Sequence, residues 1–385
     1  MEAKSENVLD KYTFDPYENM LERGFYEKQI NNFWSDKEYT FEEDAKQFKT
    51  CDDFIKRLFE GINCFFLVAD GKVSHSLVNV IKKRMQEEGM CAISFLAVQL
   101  GNEMTHAVTY NTAARRILGE QRLKELLEDI EQLDCVKNKI DFISQAEDEE
   151  ENNNITSKEE KDYIVIEGKK YNYYITKKVG TSVSLELTDY PSSVEEKKEK
   201  LCDAQKYVRL ACGEGLFFMT QFILIGLFNN LNLFNHFCLL NNHIFKDEIL
   251  HANHKCALAK ETMVKCSEEE KEKCMEDIRT AYKLECDFLK YLLYGKNGNL
   301  VIPEKYNIDY NMICDAAKIR ANFISEACGL NKLYEVNRDF PAWCSLIGGS
   351  VKNNFFEVKL NQSYKMASAD QNVEVPKECA LDDDF

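Results

Sequence analysis

Apolar residues recur every three to four positions over most of this chain, and the stretches where the recurrence stops mark out its organisation. From residue 50 to about 143 the period is helical, with Gly71 placed to punctuate a helix whose apolar run FFLVAD closes on Asp70. The helical period resumes at about residue 195, runs to 294, and returns from about 310 to 334. Residues 1–32 are polar and are read as a loose N-terminal extension with short helical pieces, and residues 365–385 have no period and read as a mobile tail. Between the helical blocks lies EDEEENNNITSKEEKD at 147–162, which carries too little apolar area to fold alone. Behind it, residues 163–166 and 171–175 alternate around Gly168 as a short hairpin, with 182–187 a candidate third strand. The block at about 147–195 is expected to be a surface insertion, since loops accept added length at small entropic cost. The pattern predicts an all-α bundle with a short acidic and β-stranded insertion.

Composition sharpens this in three ways. A chain of 385 residues with 44% hydrophobic positions and only five prolines has the means for a large helical core. Sixteen glycines are few for a dinucleotide-binding fold, and neither G-x-G-x-x-G nor G-x-x-x-x-G-K-[ST] occurs. A net charge of −17 excludes a nucleic-acid footprint, which needs a basic face. The fifteen cysteines form no C-x-x-C pair, and no secretion signal is recognisable, so free thiols in a reducing cytoplasm are expected and a zinc site is not. Residues 216–240 are the most apolar stretch, but Asn229, Asn230 and Asn232 interrupt it, so it reads as a buried bundle helix and not as a membrane span.

Candidate chemistry lies in six side chains on four helical segments. They are Asp70, Glu103 and His106 in an E-x-x-H, Glu214 in ACGEGLFF, and Glu248 and His251 in a second E-x-x-H. Residues three apart share a helix face, so each E-x-x-H offers an oxygen and a nitrogen to one metal ion. With six histidines and 66 acids in the chain, about one acidic-x-x-His arises by chance, so the spacing alone says little. The surroundings say more. Each motif lies in an apolar stretch, and Glu214 is followed by LFFMTQFILIGLF, where an unpaired carboxylate is costly to bury. Four carboxylates and two histidines spread in this way are the ligand set of a di-iron helical bundle.

Beyond single residues, the chain resembles the small subunit of class I ribonucleotide reductase in its eukaryotic-type form. The resemblance is carried, in family order, by FWSDKE at 33–38, FFLVADGKVSHSLV from Phe65, QLGNEMTHAVTY ending at Tyr110, CVKNKIDF from Cys135, CGEGLFFMTQF from Cys212, KDEILH from Lys246, NNFFE from Asn353 and the terminal ALDDDF. It implies a ferritin-like bundle over residues 33–350, interrupted at about 147–195, and a flexible tail at 351–385. It also implies two iron ions per chain, with manganese as the alternative metal. Tyr110, otherwise an ordinary core tyrosine, becomes the site of a radical formed with oxygen, in a pocket lined by Phe218, Phe222 and Ile244. Asp247 is implied to bond the far nitrogen of His106 and to contact Trp34. Tyr364 completes a path for electrons and protons to a large subunit. Without the resemblance, Trp34 is a packing anchor and Tyr364 a surface tyrosine. The tail, otherwise a solubilising acidic end, is implied to dock the large subunit through Leu381 and Phe385, and the assembly to be a homodimer or a heterodimer with another small subunit. The family's serine after the first histidine is Ala107 here, followed by Val108; an arginine becomes Lys246; and a Glu-Arg pair becomes Gln205-Lys206. These departures point to a divergent paralogue. An auxiliary subunit that stabilises another small subunit, and a stand-alone di-iron oxidase, are the other readings.

Overall fold

The computed structural model describes residues 19–145 and 201–344, except 131 and 338, and the strand backbones at 163–166, 169–179 and 182–189. The helices are α1 (Met20–Ile30), α2 (Glu42–Thr50), α3 (Asp53–Glu88), α4 (Ser94–Ile117), α5 (Glu120–Ile130), α6 (Asp134–Ser144), α7 (Asp203–Cys212), α8 (Met219–Asn230), α9 (Asn235–Met263), α10 (Glu268–Tyr294) and α11 (Tyr310–Ala327). A six-residue π-helical turn, Gly213–Phe218, joins α7 to α8. The chain is a helical bundle: α3 packs on α4, α7 on α9, α10 on α7 and α11, and α1 lies across α4. The tail residues Tyr364, Leu381 and Phe385 lie outside the described residues.

The expected break at Gly71 is absent. α3 is 36 residues long and passes through Asp70 and Gly71 without interruption. A mid-helix glycine costs about 1 kcal/mol relative to alanine. The burial of Ala69, Val73 and Leu77 and, before them, of Phe59, Ile62, Phe65 and Phe66 outweighs that cost. The helix ends instead at Gly89, whose φ of 91° is the left-handed conformation that glycine adopts freely. Its start is fixed by Asp52, whose side chain accepts the Ile55 N–H at 3.1 Å.

Long α9 is started from outside. Phe234 precedes it in a left-handed conformation and offers no cap, and Asp44 of α2 accepts the N–H of Phe237 at 2.8 Å and of His236 at 3.3 Å. That cap fixes the rotation of the helix carrying Glu248 and His251. In the N-terminal stretch read as loose, α1 is ordered by Asn19 at its N-cap and sends Glu22 and Gln29 into the interior. Of the insertion, the three strands form an antiparallel sheet in the order β1 (Tyr163–Ile166), β2 (Lys169–Val179), β3 (Ser182–Asp189). Ile166 pairs with Lys169 and Val179 with Ser182, and a bulge falls between Ile175 and Lys177.

The core is phenylalanine-rich, and one buried ion pair crosses it. Lys139 Nζ lies 2.6 Å from Glu285 and 3.7 Å from the centre of the Phe65 ring, and Glu285 also accepts from Thr220 and Gln221. Both α3 and the helical run Asp203–Asn230 are long and apolar enough to cross a membrane by length and composition. The asparagines therefore do not cut the apolar stretch short. What identifies it as a core helix is that its apolar window is entirely buried. Every cysteine among the described residues is a free thiol.

Candidate metal centre

Six side chains from four elements meet in the middle of the bundle. Asp70 comes from α3, Glu103 and His106 from α4, Glu214 from the π-turn, and Glu248 and His251 from α9, and each is at most 1% exposed. His106 Nδ1 lies 3.1 Å from Glu248 and 3.4 Å from Glu103; His251 Nδ1 lies 3.0 Å from Glu103 and 3.6 Å from Glu248. Both E-x-x-H glutamates thus sit between both imidazoles. Each glutamate stands beside the histidine of its own E-x-x-H, as the three-residue spacing leads one to expect, and also beside the histidine of the other. Of the positive charges, His106 lowers Asp70 most, and Lys255 and then His251 lower Glu214 most, so the two remaining acids lean toward different imidazoles.

The π-turn explains how Glu214 arrives. Widening one turn leaves a carbonyl outside the regular ladder, and Arg320 of α11 donates to the Gly215 oxygen at 2.9 Å. Gly215 lets α9 approach closely at this point: a Cβ there would stand 3.2 Å from the Ala252 Cβ, a tight contact.

The donor atoms fit divalent metal ions. Both oxygens of Asp70 and of Glu248, Oε2 of Glu103 and of Glu214, and Nδ1 of His106 and His251 are buried without a hydrogen-bond partner. Leaving one such group unsatisfied costs about 1–3 kcal/mol, so a cluster of eight is a place that divalent cations would satisfy. An oxygen-rich set with two imidazoles suits iron or manganese. In the protein without metal, burial opposes charging the histidines, but the carboxylates of Asp247, Glu103 and Glu248 overcome this and raise His106 beside them, while Glu103 and Glu248 push His251 up to about 10. Glu103 is lowered in return, and burial pushes Glu214 up to about 7. Metal binding must therefore displace protons from both imidazoles.

Behind the cluster, Asp247 faces His106 Nε2 at 3.2 Å and accepts from Trp34 Nε1 and Gln29 Nε2, each at 2.7 Å. Trp34 is stacked on the His106 ring at 5.9 Å and 12°. Tyr110 is fully buried; its hydroxyl donates to Asn241 Oδ1 at 2.7 Å, and Phe66 lies flat on its ring at 4.7 Å and 9°. Burial and the nearby carboxylates Asp70, Glu248 and Glu103 raise its phenol well above the ordinary value. Phe218 and Phe222 pack against Phe66, and Ile244 is buried.

Comparison with known proteins agrees with this centre. The family model described as "Ribonucleotide reductase, small chain" matches residues 12–341. The chain belongs to that family. It is a small subunit of class I ribonucleoside-diphosphate reductase, and membership implies a large-subunit partner and dimer formation. The small chain is 24% identical to the ribonucleoside-diphosphate reductase small chain of Nicotiana tabacum, over 94% of its own length and 91% of that protein. It is 23% identical to the human subunit M2, over 94% of its length and 76% of the other. Its fold is that of the ribonucleotide reductase R2 subunit of Clostridium botulinum, with a TM-score of 0.63 and 18% identity over 86% of this chain and 89% of that one. An R2-like ligand-binding oxidase with a Mn/Fe cofactor shares the fold at a TM-score of 0.60 and 12% identity, over 86% and 100% of the two chains.

Sequence reading of the small chain missed four residues around the centre: Gln29, Gln99, Asn241 and Lys255. Gln99 Nε2 donates to Glu214 at 2.8 Å and Glu103 at 3.2 Å, and Lys255 Nζ donates to Gln99 Oε1 at 2.6 Å. The available signal was position. Gln99 is one turn before Glu103 and Lys255 one turn after His251, on the ligand faces of apolar helices. The departures at Ala107 and Val108 point away from the centre, Val108 being 51% exposed. Gln205 bonds Asp277 of α10 instead.

Proposed function

We propose that this small subunit binds two iron ions at Asp70, Glu103, His106, Glu214, Glu248 and His251 and holds a stable radical on Tyr110 for use by the large subunit. The observation that carries the reading is the cluster of unpartnered, buried carboxylate and imidazole atoms standing beside a buried tyrosine. When bound, the iron pair supplies the oxidising power of dioxygen. Tyr110 gives up one electron and one proton. The Asn241 amide directs the phenol but is too weak a base to keep its proton, which must pass to a carboxylate of the cluster. Phe66, Phe237 and the surrounding apolar residues keep water and reductants from the resulting neutral radical.

Outward transfer uses Trp34, Asp247 and His106. Asp247 accepts from both Trp34 and His106, so a proton has a carboxylate to rest on while an electron crosses the stacked rings. Tyr364 and the tail anchors Leu381 and Phe385 would extend this path and dock the large subunit, the two apolar side chains seating in a groove and the aspartates giving orientation. Manganese is the competing metal; relatives of the same fold include a dimanganese(II) protein from Streptococcus sanguinis. The test is frozen-solution electron paramagnetic resonance on the metal-free protein given ferrous iron and oxygen. About two irons per chain and a tyrosyl signal are expected, with reductase activity on adding large subunit. Iron binding with no organic radical and no activity overturns the reading in favour of another oxidase.

A further inference from the structure

The two ends of the metal cluster are backed by opposite charges. At one end stands Asp247, an anion that faces His106 Nε2 at 3.2 Å. At the other stands Lys255, fully buried; burial lowers its pKa, and Glu214 is the carboxylate that does most to keep the ammonium charged. Between Lys255 and the cluster lies the Gln99 side chain, and its orientation follows from donor and acceptor chemistry. An ammonium only donates, so Gln99 must turn its oxygen to Lys255, here at 2.6 Å, and its NH2 to the acids. That NH2 reaches Oε1 of Glu214 at 2.8 Å and Oε1 of Glu103 at 3.2 Å, leaving Oε2 of each glutamate without a partner. The lysine thus fixes which oxygen each glutamate presents and sets a positive charge one side chain behind Glu214.

We propose that Lys255 makes the two metal positions unequal: a divalent cation binds more weakly at the position built from Glu214 and His251 than at the one built from Asp70 and His106. The inference rests on the dinuclear reading above. Repulsion between the ammonium and a divalent ion acts at the Glu214 end, and attraction to Asp247 acts at the His106 end, in an interior that screens neither well. The tighter position is then the one beside Asp70, which is also the acid with the greatest influence on Tyr110. Lys255 is a positioning residue, acting through Gln99 and through its charge.

The test is titration of the metal-free full-length protein with manganese(II) under argon, reading free ion by its six-line room-temperature resonance. The unaltered protein should bind two ions in steps at least tenfold apart. Lys255→Met should narrow that gap at least tenfold by tightening the second step, and Lys255→Arg, which keeps the charge, should restore it. Lys255→Gln gives the same comparison should the methionine variant not fold. A gap unchanged or widened in the neutral variants, or two equal steps in the unaltered protein, overturns the inference alone. Failure of the unaltered protein to bind manganese or iron overturns the dinuclear reading with it.

Discussion

Replacing Tyr110 by phenylalanine removes one oxygen atom and tests structure and chemistry together. The ring itself keeps its place, because Phe66 lies flat against it at 4.7 Å and Phe237 stands at 6.2 Å. What is lost is the 2.7 Å bond from the phenol to Asn241 Oδ1. Asn241 cannot swing to another partner, since its Nδ2 is held by the Phe237 carbonyl at 2.7 Å. Its oxygen is left buried and unpaired, so the cost is that of an orphaned acceptor and not only of a neutral hydrogen bond, about 1–3 kcal/mol. Urea unfolding of the metal-free protein measures it, and adding Asn241→Leu to Tyr110→Phe should return part of the loss. Iron content should remain at that of the unaltered protein, because no donor of the cluster bonds the phenol. The tyrosyl signal formed with ferrous iron and oxygen should disappear, and reductase activity with it. A persistent tyrosyl signal would place the radical elsewhere; a fall in iron content would mean that Tyr110 helps to build the metal site.

Three further outcomes are expected. His251→Ala or Glu248→Ala should reduce iron binding from about two ions per chain to one or fewer, and unchanged stoichiometry in both would contradict the ligand assignment. Truncation after Pro376 should leave metal and radical formation intact and weaken affinity for the large subunit at least tenfold, about 1.4 kcal/mol by calorimetry; a peptide of the last residues should compete. Burial, with Lys255 and Arg84 nearby, holds His254 down at about 4 in the folded protein despite its bond to Glu22. The unfolded chain takes up that proton near pH 6.5, so stability should be lost as pH falls from 6.5 to 4, by about 3 kcal/mol for a shift of this size. His254→Gln should flatten that part of the pH profile, and an equal slope in both proteins would show that the histidine is not its source.

Much of the centre was legible in the sequence because its rules are local. A carboxylate three residues before a histidine shares its helix face, and an acid inside an apolar run needs a cation, so Asp70, Glu103, His106, Glu214, Glu248 and His251 stand out without a fold. The strands around Gly168 were legible by their alternation. The course of α3 through Gly71 was not, since it is decided by the burial of side chains on both sides of the glycine. Nor was the sharing of Glu103 and Glu248 between both histidines, which depends on how α4 faces α9. Lys255 is illegible for a different reason: its partner Gln99 is 156 residues away, and no local spacing ties a lone lysine to a glutamine at that distance.

Lys255 also bears on why the cluster would take metal at all. Five carboxylates, Asp247 included, are faced by two imidazoles and, through Gln99, by one ammonium, so even with both histidines charged two negative charges are unopposed. Without metal the molecule can meet the deficit only by holding protons on its acids, and burial accordingly raises Asp70 and brings Glu214 up to about 7. Two divalent ions would close the deficit, since they contribute four positive charges and release the protons from both imidazoles. Locally, positive charge is then in surplus where Lys255 already stands, while Asp247 offsets it at the opposite end. The residue that eases the metal-free state at Glu214 is therefore the one that opposes the second ion there, and the order of loading is set by a lysine that touches no ligand directly.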